Sequence, residues 1–258
     1  MDDDGRMPLM QHLEELRKRL VRAFVAWFAA FMVCYSYAEP MYLAISEPLR
    51  AALPAGTKLV FITATEPFFA YLKIGAFAGL LVALPVIFWQ VWGFIAPGLY
   101  AHEKRYVIPF VLVSTLCFLT GTAFGFLVAF PLMFGFLVQF GTAGGEVVPM
   151  LSMGSYLSLA GKMLLAFGFT FELPIIIFFF ARMGVVDAPM LARNRKFALL
   201  GCFILGAIFT PPDVVSQIVL AGPMYALYEV GIVVARIFGK KRAVLDDTPA
   251  AADTVDTA

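Results

Sequence analysis

The chain has 258 residues, of which 61% are hydrophobic and 14% charged, and its formal net charge is +1. A water-soluble domain of this length needs far more polar surface, so the composition excludes one and places the chain in lipid. The near-neutral balance gives no reason to expect a nucleic-acid partner.

The N-terminal segment MDDDGRMPLMQHLEELRKRL is polar up to the first apolar run. A cleavable secretory signal has a short basic start and then its apolar core, so the first span is expected to act as its own insertion signal. Leu13, Leu16 and Leu20 fall on one helical face, which predicts an amphipathic helix at the membrane surface running into span one. In His12-Leu13-Glu14-Glu15-Leu16-Arg17-Lys18-Arg19 the acids either form a binding feature or merely pair basic residues three or four positions on.

A helix needs about 20 apolar residues to cross a hydrocarbon core of about 30 Å. Six runs meet or approach this: Val21–Ala38, Phe68–Ile95, Tyr106–Phe140, Tyr156–Ala181, Phe197–Thr210 and Val214–Phe238. The third would be about 50 Å long as a helix, too long for one simple span. Basic residues mark the cytoplasmic side and decide how often it crosses. With one crossing, over about 106–135, the same side receives Arg17 to Arg22, Lys104 and Arg105, Arg182 to Lys196, and Arg236 to Arg242; Arg50 and Lys58 face the other. A hairpin in run three would send the last two groups across, so one crossing is expected, with Pro131 ending or bending its far part. Lys73 and Lys162 lie within runs two and four near their outer ends, where they snorkel or line a polar surface.

The expected fold is an all-α integral membrane protein with six transmembrane helices, N-in/C-in. It forms one domain over residues 1–242, with spans at about 21–38, 68–95, 106–135, 156–181, 197–210 and 214–238, and a disordered cytoplasmic tail over 243–258. The last two helices are short. Phe197–Thr210 is about 21 Å long, so either the bilayer thins there or the turn Thr210-Pro211-Pro212-Asp213 stops below the outer surface. Two outer loops, Glu39–Glu66 with an amphipathic stretch Met41–Leu53 and Gly141–Ser155, are expected to cap the outer face.

No GxxxxGK[ST], HExxH or GxSxG pattern occurs, which favours binding or transport over an enzyme. Cys34, Cys117 and Cys202 are far apart, and His12 and His102 are the only histidines, so neither a metal site nor a cofactor is expected.

Three further groups of polar residues are candidates for function. Pro97-Gly98-Leu99-Tyr100-Ala101-His102-Glu103-Lys104-Arg105 forms a short loop on the same side as Glu15; it is either a binding element or an ordinary charged loop. Glu172 is an acid in the middle of an apolar helix, two residues before Pro174, and an ionisable group there is a functional candidate. Thr210, Asp213 and Gln217 either bond a guest helix or cap a turn. Gly75 with Gly79, and Gly121 with Gly125, are GxxxG pairs that permit close helix packing.

Taken together, HLEELRKR before span one, PVIFWQVWGFIAPGLYAHEKR across span two and its loop, LAFGFTFELP in span four and TPPDVVSQ between spans five and six resemble the TatC family in order, over about residues 9–242. That resemblance implies a core receptor subunit of the twin-arginine translocase in the bacterial cytoplasmic membrane. Such a subunit binds signal peptides with two consecutive arginines at the cytoplasmic face, and the proton-motive force drives export of folded proteins. It further implies signal reading by Glu15 and Glu103, with Arg17 and Arg105 shaping the site. Its implied partners are TatB and TatA, single-span proteins, together with self-association in a multimeric receptor complex. Thr210, Asp213 and Gln217 would dock a partner helix. Phe126 departs from the family, many of whose members have tyrosine there. From the residues alone two other readings stay open: a secondary transporter of a small solute using the intramembrane Glu172, and a structural scaffold.

Overall fold

The computed structural model describes residues 9–54, 57, 59–95, 107–143 and 149–239. Glu103 and Arg105, the tail over 243–258 and part of the second outer loop therefore lie outside the described residues. Ten α-helices account for most of what is described: α1 (Leu9–Tyr35), α2 (Ala38–Ala52), α3 (Glu66–Ile95), α4 (Val107–Phe124), α5 (Phe130–Thr142), α6 (Met153–Phe171), α7 (Leu173–Met183), α8 (Ala188–Arg193), α9 (Arg195–Phe209) and α10 (Val214–Phe238). Among the described residues the only extended pairing is an isolated parallel bridge between Val60 and Ser152.

The charge pattern of the sequence becomes a polarity of the bundle. α1, α9 and the α4 run begin at one end, where α3, α7 and α10 finish; His12 of α1 stacks on Phe94 of α3 with ring centroids 4.3 Å apart. This is called the basic end below, and the opposite end the far end. By length and composition the spans Glu66–Ile95, Ile108–Thr142, Met153–Met183 and Val214–Phe238 are long and apolar enough to cross a membrane. α1 with α2 is a fifth candidate, broken by a bend of 86°. α9, with 15 residues, is about 22 Å long.

Three of the expected runs differ in detail. The first apolar run continues a helix that already starts at Leu9, so the amphipathic segment and span one are one element of 27 residues. The third run is helical to Thr142, and Pro131 does not end it. Proline is tolerated there because Gly125–Ala129 form a π-helical turn. Such a turn already breaks the regular ladder, which leaves no i−4 bond for the ring to remove. The fourth run is divided at Glu172: α6 ends at Phe171 and α7 restarts with Pro174 in its first turn, a position where the missing N–H is not needed.

Small residues set the helix seams. A side-chain carbon at Gly79 would stand 2.6 Å from the Phe31 backbone, so α1 and α3 touch main chain to main chain. At Gly121 it would stand 2.5 Å from the Phe167 carbonyl, which seats α4 against α6. Both GxxxG pairs are thus packing seams. The main core lies between these helices in the far half of the bundle, around Phe130, Met133, Met163, Phe167 and Leu220.

The far end is closed by the two loops. Val60 N–H donates to Leu151 O at 3.1 Å, and Met153 N–H to Val60 O at 2.9 Å. Glu66 fastens this junction: its carboxylate accepts from Ile62 N–H at 2.6 Å, from Gly154 N–H at 3.0 Å and from the Ser152 hydroxyl. It thereby satisfies one amide at the start of α6, that of Gly154, which no helical carbonyl can reach, and one in the loop before α3. Tyr156 adds a bond from its hydroxyl to Ile45 O on α2.

Candidate functional site

At the basic end α1 presents its charged turns beside the last turn of α3. Glu15 and Arg19 are one helical turn apart and form an ion pair, with Arg19 Nη2 and Nε at 2.6 and 2.8 Å from the same oxygen, Oε1. Both side chains are only 23% exposed. The reason is α3: Gly93 has no side chain, and a carbon added there would collide with the Arg19 guanidinium. Arg19 is therefore held in a seat made by Glu15 on one side and the Gly93 backbone on the other. Glu14 and Lys18, one residue back, also pair at 2.7 Å but face solvent. Arg17 is exposed on the open face of α1. Glu15 thus sits where α3 ends and the 96–106 segment begins, and α4 starts again at Val107.

Deeper in the bundle a second polar site interrupts the apolar packing. Glu172, at the α6–α7 break, is 5% exposed. The Ser114 hydroxyl of α4 is its hydrogen-bond partner. Ser114 in turn accepts from Trp92 Nε1 at 3.1 Å. Trp92 is fixed by stacking on Phe110, with centroids 4.8 Å apart, and by the edge of Phe179. One carboxyl oxygen, Oε1, is left without a hydrogen-bond partner. The acid therefore belongs to a three-helix polar line from α3 through α4 to the α6–α7 junction. A lone acid in LAFGFTFELP signals one end of this line; nothing in the sequence marks Ser114 or Trp92 as its neighbours.

The turn between α9 and α10 is tightly self-bonded. Asp213 caps α10 by accepting from Ser216 N–H at 2.7 Å. The Thr210 hydroxyl donates to Gly206 O at 2.9 Å. Gln217 Nε2 donates across to Phe203 O at 2.8 Å, tying α10 to α9. Asp213 Oδ2 is buried without a partner. All three residues come together, and within this chain they bond chiefly to their own two helices.

At the other end of the same pair, Arg195 at the start of α9 grips Glu229 of α10 as a fork, Nε to Oε1 at 2.8 Å and Nη2 to Oε2 at 2.8 Å. Tyr225 donates to Glu229 Oε1 at 2.9 Å. Glu229 is the single acid inside the last apolar run, a signal in the sequence that this ion pair would have explained.

A family described as TatC, Sec-independent protein translocase protein, matches residues 11–223. The chain belongs to the TatC family. It is 45% identical to the Sec-independent protein translocase protein TatC of Desulforapulum autotrophicum, over 93% of this chain and 88% of that one. To the TatC of Escherichia coli it is 40% identical, over 94% of this chain and 93% of the other. A crystal structure described as the twin-arginine translocase receptor TatC superposes with a TM-score of 0.79 at 36% identity, covering 87% of this chain and 97% of that chain. As a TatC protein it is a non-enzymatic component of a protein translocase. A small-solute transporter built on Glu172 finds no support among these relatives. Phe126 lies in the π-helical turn and packs on Phe130 with centroids 6.2 Å apart.

Proposed function

We propose that this chain is the signal-reading subunit of a bacterial twin-arginine translocase, and that Glu15 and Glu103 receive the two adjacent arginines of a signal peptide. One observation carries the reading: Glu15 already holds a guanidinium, that of Arg19, in a half-buried seat at the end of α3. The carboxylate is thus placed and oriented for the chemistry the role demands. A guanidinium offers a planar fork of donors, whereas an ammonium is a point charge, so two carboxylates on separate segments discriminate an Arg-Arg pair from Lys-Lys. Arg17 and Arg105 flank the two acids in sequence and shape the site.

In this reading the chain crosses the cytoplasmic membrane six times with both termini in the cytoplasm, α1 and the short α9 being the first and fifth crossings. The excess of Lys and Arg at the basic end supports that orientation. TatB and TatA dock as single helices beside Thr210, Asp213 and Gln217, several copies of the chain assemble, and the proton-motive force drives export. Site-specific crosslinking of an Arg-Arg signal peptide to the wild type, Glu15→Ala and Glu103→Ala tests the assignment. Loss of the crosslink in either variant is expected, since removing one partner of a desolvated charge pair costs about 2–5 kcal/mol. An unchanged crosslink in both variants would falsify it.

A further inference from the structure

We infer that Lys73 and Lys162 form a binding site for the phosphate of an anionic phospholipid, whose acyl chain lies along the furrow between α3 and α6. Lys73 leaves α3 about 10 Å from that helix's far end, and Lys162 leaves α6 about 14 Å from its own. Both side chains are exposed although both residues lie within membrane-crossing helices. Lys73 Nζ reaches across to donate to Ser158 Oγ of α6 at 2.7 Å. The Ser158 hydroxyl donates to Gly154 O at 2.7 Å, which turns its lone pairs toward the ammonium. Lys162 follows Ser158 by one helical turn, so the second cation rises from the strip of α6 that the first has reached, about 6 Å away between Cβ atoms.

Ionisable groups inside a membrane almost always pair with an opposite charge or face water. Among the described residues neither lysine has an acid within ion-pair distance. The described residues thus place no counter-charge beside either ammonium group, and a bound anion supplies one. Lysine stems snorkel back toward the interface and bring both cations toward the phosphate layer. Beneath Lys73 a shallow furrow of about 30 Å³ runs toward the midplane between Ile74 and Phe77 of α3 and Leu157, Gly161 and Leu164 of α6. A cationic rim above an apolar furrow matches an amphiphile, with its phosphate on the lysines and its chain against the furrow. A carboxylate on a neighbouring helix would first have to be desolvated to reach this depth. A lipid phosphate stays at the interface, within reach of the snorkelling lysine stems. The orientation proposed above assigns the site to the outer leaflet; the site itself does not depend on it.

Purified full-length protein in a neutral detergent, titrated with phosphatidylglycerol or phosphatidylcholine and read by native mass spectrometry, tests the inference. The wild type should retain phosphatidylglycerol over phosphatidylcholine by about tenfold or more, given about a fivefold gain per lysine. Lys73→Gln with Lys162→Gln should remove that preference, and Lys73→Arg with Lys162→Arg should keep it. Lys162 makes no hydrogen bond among the described residues, so Lys162→Gln alone reads the same site should the double variant fail to fold, with about a fivefold loss expected. Equal retention of the two lipids by the wild type, or a preference that survives loss of both ammonium groups, overturns the site. Displacement of phosphatidylglycerol by millimolar inorganic phosphate overturns the lipid as its ligand.

Discussion

Arg19 rests its guanidinium on Glu15, and the missing side chain of Gly93 makes room for it. A guest arginine that is to be read by Glu15 must displace this resident one. The exchange gives up a partly exposed pair for the more fully desolvated one that a bound peptide makes, so the resident pair lowers the gain without cancelling it, and a guest lysine, with no fork, gains less than a guest arginine. Arg19→Gln should therefore raise the affinity for an Arg-Arg peptide by about two- to fivefold, the worth of a partly exposed i, i+4 pair. It should also narrow the difference between Arg-Arg and Lys-Lys peptides. Fluorescence anisotropy of labelled peptides on the purified protein reads both effects. A fall in affinity would show instead that Arg19 holds Glu15 in position.

Glu172 is bonded through Ser114 to Trp92, and none of the three needs a negative charge for that line to hold. Gln keeps an acceptor for the Ser114 hydroxyl and nearly the same volume. Lys brings a charge into an apolar seat with no acid facing it among the described residues. Glu172→Gln should change stability by less than about 1 kcal/mol, and Glu172→Lys should cost about 3 kcal/mol. Thermal unfolding in detergent, with export of a folded reporter assayed alongside, measures both. Abolished export with unchanged unfolding in Glu172→Gln would implicate ionisation rather than hydrogen bonding.

The all-helical fold and its long apolar helices were legible in the sequence because they depend on composition summed over many residues; the helix ends were not, since α1 starts at Leu9 and the third run continues to Thr142. Glu15, Glu172 and Gln217 stood out because a polar group in or beside an apolar run is rare. Their partners were hidden. Ser114, Phe203 O and Gly93 look like any serine, carbonyl or glycine, and only the packing of α3, α4, α6 and α9 brings them into contact. The break at Glu172 was half-visible: Pro174 announces it, but a proline in the first turn of a new helix and one in a kinked helix read alike. The π-helical turn at Gly125–Ala129 had no sequence signal beyond the nearby Pro131.

Gln217 does two jobs at the α9–α10 turn if it also meets a partner helix. Its amide nitrogen is engaged with Phe203 O at 2.8 Å, and Gly206 lies close against its stem. Gln217→Leu keeps the bulk and removes the bond between the helices, while the Phe203 carbonyl keeps its partner within α9. A loss of about 0.5–1.5 kcal/mol is expected in thermal unfolding, together with weaker co-purification of a single-span partner. Gly206→Ala separates the two effects, because it presses on the Gln217 stem without removing its amide. Co-purification at the wild-type yield in Gln217→Leu would count against partner docking here, whatever happens to stability.

The fork between Arg195 and Glu229 fixes how far α9 can slide along α10, since among the described residues the other side-chain hydrogen bond between them is that of Gln217 near the opposite end. With α9 only 15 residues long, a slip of one turn, about 5.4 Å, would bury the start of the helix or expose its tip. Glu229→Gln removes the charge while leaving the Tyr225 hydroxyl a partner, so the two helices should stay packed but lose their register lock. Arg195→Glu should be worse, because it sets two acids face to face. Arg195→Glu combined with Glu229→Arg should recover most of the loss, as the fork is rebuilt in reverse. A cysteine placed at Ala221, in the same cluster as the native Cys202, would report the register by disulfide yield, lower in each single variant and restored in the double. Equal yields in all four proteins would mean that apolar packing around Cys202, Ala221 and Met224 sets the register alone.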